Sequence, residues 1–126
     1  MTTEAYSDIV LDHFNNPRNA GELESPDGVG VRTNPVCGDT MQLMIRVADG
    51  RIAESRWKTV GCPAAIATSS IATEMIQGKT LDEVGALTRE QIATAAGGLP
   101  ASKLHCSVLA ADALRAAIAD YRTRQD

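Results

Sequence analysis

The chain has 126 residues, a formal net charge of −4, 44% hydrophobic and 22% charged residues, and 3% aromatics. That length suits one domain that buries a core without staples. An acidic chain with no basic run and few rings excludes the nucleic-acid binders, which need clustered Lys and Arg or stacking platforms.

In chain order, residues 4–14 place Tyr6, Ile9, Val10 and His13 at helical spacing, with Phe14 one step on, predicting an N-terminal helix. His13 beside Asp12 reads as a capping or surface residue. Asn, Pro and Gly then crowd 15–28 and end the helix. Residues 28–34 read as an exposed strand. In 40–47, Met41, Leu43, Ile45 and Val47 alternate with polar residues, as on a strand with one buried face. Asp49-Gly50 is a hairpin signal, and 52–60 is the partner strand.

After Cys62 the period changes. The Ala-rich stretch 63–78 opens on Pro63 and closes on Gly78, a helix with its usual punctuation. Short helical pieces follow at 81–87 and 88–96, where Thr88 with Gln91 fits a capping box. Gly97-Gly98-Leu99-Pro100 breaks the chain. A long helix over 102–124 sets Leu114, Ile118 and Tyr121 on an apolar stripe and Asp112, Arg115 and Arg122 on a polar one. The fold class is therefore α+β: a three-stranded antiparallel meander packed against helices, with an N-terminal helix and a long C-terminal one.

No basic segment precedes an apolar run at the N-terminus, and the apolar stretches carry Ser, Thr, Asp or Arg, so the expected location is cytoplasmic, with no membrane partner. Thiols stay reduced there, and three cysteines are an odd number for a disulfide framework. Taken singly, each cysteine reads as a small buried hydrophobe. Their positions argue otherwise. Cys37 lies in the turn between the first two strands, Cys62 just before a helix, and Cys106 in the first turn of the last helix. Three such junctions can meet at one end of a small α+β domain.

The neighbours add to this. Gly38 and Gly61 permit backbone that leaves a sulfur accessible. Cys62, and likewise Cys106, would feel a positive helix N-terminus, which favours thiolate. Asp39, two residues after Cys37, can point the same way on extended backbone; a turn-capping carboxylate is the alternative. His105 and Cys106 are adjacent, about 100° apart on a regular helix, and reach one ion together only where helical dihedrals have not set in. Otherwise Cys106 works and His105 orients it or exchanges with it. The candidates are thus Cys37, Asp39, Cys62, His105 and Cys106. Five exceed the four places of a closed tetrahedral zinc site and point to ligand exchange, although no CxxC pair is present.

The stretches YSDIVLDHFNNPRNAG, NPVCGDTMQLMIRV, KTVGCPAAIATSSIATEMIQGKTLDEV and LPASKLHCSVLAADALRAAIADY together carry a resemblance. The chain resembles the IscU/NifU N-terminal family of iron–sulfur cluster assembly scaffolds, IscU-type in length, over nearly its whole extent. The resemblance implies a single scaffold domain over 1–126 that is not an enzyme. It implies a [2Fe-2S] cluster built from iron and persulfide sulfur and then passed to apo iron–sulfur proteins. Its ligand positions fall on Cys37, Asp39, Cys62, His105 and Cys106, with Cys106 the persulfide acceptor and Cys62 second. Zinc could occupy the same ligands in the cluster-free protein. The implied partners are a cysteine desulfurase, a ferredoxin-like electron donor and a frataxin-like regulator. An LPPVK segment that an Hsp70-type chaperone grips in many members reads Leu99-Pro100-Ala101-Ser102-Lys103 here, which weakens that expectation. Pro63 replaces the Gly common after the second cysteine and fixes the local backbone. The competing reading is a zinc-dependent SufU-type sulfur-transfer protein. That branch carries an insertion between the second and third cysteines and lacks the histidine. A third reading is a metal-stabilised interaction module.

Overall fold

The computed structural model describes residues 6–36 and 38–125. The first helix, α1, spans Asp8–Asn15. It starts later than the periodicity predicts because Ser7 caps it, its hydroxyl accepting from the Val10 N–H at 3.0 Å. Tyr6 therefore precedes the helix, and residues 4 and 5 lie outside the described residues. His13 corrects the sequence reading. It is buried, with Nδ1 2.7 Å from the Ser70 hydroxyl and Nε2 3.3 Å from a Glu74 carboxylate oxygen. Only Val10 and His13 of the predicted periodic face are buried, while Ile9 and Phe14 are exposed.

Three strands form an antiparallel sheet in the order β1 (Gly28–Thr33), β2 (Thr40–Ala48) and β3 (Arg51–Val60). Asp49 and Gly50 both take positive φ, 55° and 73°, as the tight hairpin between β2 and β3 requires. The β2–β3 register shifts between Arg46 and Val47, and there the Val47 N–H goes to the Asp27 carboxylate at 2.8 Å. Met41, Leu43 and Ile45 turn to the helical side and are almost wholly buried. The outer edge of β3 is covered by the segment after α1. Trp57 donates its backbone N–H to Asn19 at 3.0 Å and its indole N–H to Arg18 at 2.6 Å.

Helix α2 (Pro63–Ile76) is buried almost all round, which its Ala, Ser and Thr content allows. Thr68 and Ser69 return their hydroxyls to carbonyls one turn back, at 2.8 to 3.1 Å. Helices α3 (Leu81–Gly85) and α4 (Arg89–Ala95) are short, each opened by a complete capping box, Thr80 with Glu83 and Thr88 with Gln91. A 3₁₀ turn (Ala101–Lys103) precedes α5 (His105–Gln125). The last helix thus begins at His105 rather than at residue 102, since the residues after Pro100 close into the tighter turn. Leu114 and Ile118 face the core while Asp112, Arg115 and Arg122 are exposed, as the stripes predict.

Helix α5 lies directly on β1. A Cβ at Gly30 would come within 2.1 Å of the Ala113 carbonyl, and one at Gly28 within 2.4 Å of the Ala117 carbonyl. Two glycines facing alanines let the helix backbone rest on the strand, and Asp120 takes the Val29 N–H at 2.8 Å. This contact sets where α5 begins, and so where His105 and Cys106 stand. No helix among the described residues is long and apolar enough to cross a membrane.

Candidate metal centre

Four of the five candidate residues meet at the end of the domain where β2 begins, β3 ends and α5 starts. Asp39 arrives on the turn between β1 and β2. Asn34 organises that turn: its side-chain oxygen accepts from Val36 at 2.8 Å, its carbonyl from Gly38 at 2.7 Å, and its N–H donates to the Asp39 carbonyl at 2.8 Å. Gly38, at φ +79°, makes the reversal. Cys37 lies outside the described residues.

Cys62 is the N-cap residue of α2 and makes no side-chain cap bond; with Pro63 next, its thiol is left to face the corner. Its Sγ lies 3.6 Å from Asp39 Oδ2 and 3.9 Å from Cys106 Sγ. His105 and Cys106 open α5. His105 Nε2 is 3.5 Å from Cys106 Sγ and 3.7 Å from Asp39 Oδ2. At the helix start, then, the adjacent pair does turn toward one place. The ligand atoms of Asp39, Cys62 and Cys106 all lie within 4.8 Å of one another, and His105 stands at their edge.

These spacings fit a tetrahedral ion. With metal–sulfur bonds of about 2.3 Å and metal–oxygen or –nitrogen bonds of about 2.1 Å, two sulfurs stand about 3.8 Å apart, and a sulfur and an oxygen or nitrogen about 3.6 Å. The observed 3.9, 3.6 and 3.5 Å match these separations, and the same three contacts lie within the range of thiol hydrogen bonds. Two sulfurs and a carboxylate oxygen, with the His105 nitrogen beside them, are ligand types that zinc or ferrous iron accepts.

Burial differs from the expectation of an exposed thiolate. Cys62 is half-buried, but Cys106 is fully buried among Ala64 and Ala65, with Tyr6 and Leu99 packed on the same cluster. Burial pushes the Cys106 thiol well above the usual cysteine range; Cys62 and the Asp39 carboxylate add to this, and Lys103 opposes it. Desolvation outweighs the helix start here. Sequence reasoning missed this packing: Tyr6 reads as part of a helix and Leu99 as part of a break, and neither carries a local signal for packing on the Cys106 cluster. On its outer side His105 borders a cleft of about 460 Å³ with Leu104, Ser107, Val108 and Arg89.

Known proteins resemble this chain in sequence and fold. The model of the NifU-like N terminal domain family matches residues 5–126. A protein of Archaeoglobus fulgidus named iron-sulfur cluster assembly scaffold protein IscU 1 is 60% identical over 116 residues, 92% of this chain and 76% of that protein. The Escherichia coli protein named iron-sulfur cluster assembly scaffold protein IscU is 48% identical over 126 residues, 97% of this chain and 98% of its own. The crystal structure of a NifU-like N-terminal domain from Brucella abortus shares the fold, with a TM-score of 0.78 at 20% identity over 94% of both chains. A family match from residue 5 to the C-terminal residue, relatives near half identity or above, and a shared three-stranded α+β fold make this chain a member of the NifU-like N-terminal domain family.

Proposed function

We propose that the protein is a scaffold on which an iron–sulfur cluster is assembled and from which it is passed on, with the corner of Asp39, Cys62, His105 and Cys106, joined by Cys37, as the assembly site. The observation that carries this is the convergence of Asp39, Cys62 and Cys106 ligand atoms within 4.8 Å, at spacings that suit a tetrahedral ion. The names of the relatives support the same reading.

Cysteine thiolates are the ligands that iron–sulfur clusters prefer, and a carboxylate or single imidazole leaves more readily than a further thiolate. That asymmetry suits a [2Fe-2S] cargo meant for transfer. Sulfur arrives from a cysteine desulfurase. The Cys106 thiolate attacks the terminal sulfur of the donor's persulfide, the donor's S–S bond breaks, and its cysteine leaves as thiolate. Because Cys106 is buried, delivery requires the packing around it to loosen; Cys62, half-buried, is the second acceptor. Each sulfane sulfur takes up two electrons to reach sulfide. Oxidation of the bound ferrous ions supplies half of these and a ferredoxin-like donor the other half. A frataxin-like regulator belongs to the same proposal. Zinc, held by the same ligands, would occupy the cluster-free form.

The test is anaerobic reconstitution with a cysteine desulfurase, cysteine, ferrous iron and a reductant, followed by visible absorption and mass. A chromophore that moves to an apo-ferredoxin is the expected result. Persulfide without a chromophore, on zinc-loaded protein, would make it a SufU-type sulfur carrier instead. Neither signal would leave a metal-stabilised interaction module.

A further inference from the structure

Gly61 joins β3 to α2, and its φ lies outside the left-handed region, so backbone freedom does not account for a glycine there. Space does. A Cβ at this position would stand 2.8 Å from Asp39 Cγ, 3.0 Å from Asp39 Oδ1 and 3.1 Å from Ala65 Cβ. Gly61 is itself exposed, but no real Cβ stands this close to another heavy atom, so one neighbour must yield. Ala65 is buried, and its Cβ is fixed to the backbone of the first turn of α2. Asp39 ends in a carboxylate on two torsions, at the tip of a turn. It is the atom group that moves, and a change of staggered rotamer carries it out of the corner.

We propose that Gly61 is the positioning residue for Asp39: the volume its absent side chain leaves is the seat of the carboxylate that faces Cys62 and His105. Gly61 offers no side-chain ligand of its own. It acts by letting Asp39 stand at 3.6 Å from Cys62 Sγ and 3.7 Å from His105 Nε2. The inference rests on Asp39 as a ligand, the reading proposed above, and adds what holds that ligand in place. It also gives the Gly61-Cys62 pair two separate tasks, one steric and one chemical.

Gly61→Ala, Asp39→Ala and the double variant, made in the full chain, test this. Cobalt(II) titration under anaerobic conditions reads affinity from the thiolate-to-cobalt absorption, and thermal melts of the metal-free proteins read stability. Gly61→Ala is expected to weaken cobalt binding by about 10- to 100-fold, the range for residues that orient a ligand. It should match Asp39→Ala, and the double variant should be no weaker than Asp39→Ala alone. Additive losses in the double variant would overturn the proposal. So would a crystal structure of Gly61→Ala with Asp39 Oδ2 still 3.6 Å from Cys62 Sγ. If Gly61→Ala folds poorly, removing the Asp39 carboxylate must restore its melting midpoint to that of Asp39→Ala; failure to do so also overturns it. Should Asp39→Ala bind cobalt like the parent while Gly61→Ala shows a displaced carboxylate, the seat stands and the ligand role of Asp39 falls.

Discussion

Two polar clusters are buried in this small domain, and they are built to different rules. Under α1, His13 has a partner on each ring nitrogen: Ser70 at 2.7 Å and Glu74 at 3.3 Å. The Arg18 backbone N–H joins Ser70 at 2.9 Å, and its guanidinium meets Asp12 at 2.7 Å, although Arg18 Nη1 stays buried without a partner. At the corner, the sulfurs, carboxylate and imidazole stand 3.5 to 3.9 Å apart. The first cluster closes on itself at hydrogen-bond distance and ties α1 to α2. The second gathers two thiols and a carboxylate whose ligand atoms lie within 4.8 Å of one another, with an imidazole beside them. A histidine takes part in both, so residue type alone does not separate the two clusters; the groups around it do.

Breaking the corner should give the largest effect. Cys106→Ser is expected to cut cobalt(II) affinity by more than about 100-fold, since it removes a thiolate rather than a carboxylate or the residue that seats it. The parent protein, at metal concentrations about 100 times the dissociation constant, should gain about 2.7 kcal/mol of stability that the variant does not. Calorimetry with and without metal checks both.

Breaking the other cluster should reverse the pattern. His13→Ala leaves Ser70 and Glu74 without their shared partner and should cost about 1–3 kcal/mol in urea unfolding, with cobalt affinity unchanged. A loss of metal binding in this variant would show that the two clusters are coupled.

Acid sharpens the same contrast. Burial, then the Arg18 charge, holds His13 below the ordinary histidine value of about 6.5, with Glu74 and Asp12 opposing. The unfolded chain then takes up a proton that the folded chain resists. The resulting stability is complete above about pH 6.5 and is lost as pH falls from there through the folded value, at no more than about 1.4 kcal/mol per pH unit. His13→Gln should flatten that limb of the metal-free stability profile. A slope that persists would place its origin elsewhere.

The smallest effect tests the frame. Thr88→Ala removes one capping box of α4 and should cost about 1 kcal/mol without moving either cluster. Histidine and cobalt spectra matching the parent's would confirm that α4 contributes stability alone.

The periodic elements were legible in the chain itself. Alternation of Met41, Leu43 and Ile45, Asp49-Gly50 at the hairpin, and Thr88 with Gln91 at a helix start are local signals set by backbone sterics and near-neighbour bonds. The convergence of Cys62 and Cys106 with Asp39 and His105 was also legible, because cysteines at element junctions, with an acid or histidine close by in sequence, stand out in so short a chain. Tertiary contact decided what remained. Whether His13 faces water or Ser70 depends on a helix 57 residues away in sequence. Whether Cys106 is exposed depends on Tyr6 and Leu99 packing on its cluster, and why residue 61 is glycine depends on where Asp39 comes to rest. Burial and close approach arise between segments brought together by folding, and no window of sequence contains both partners.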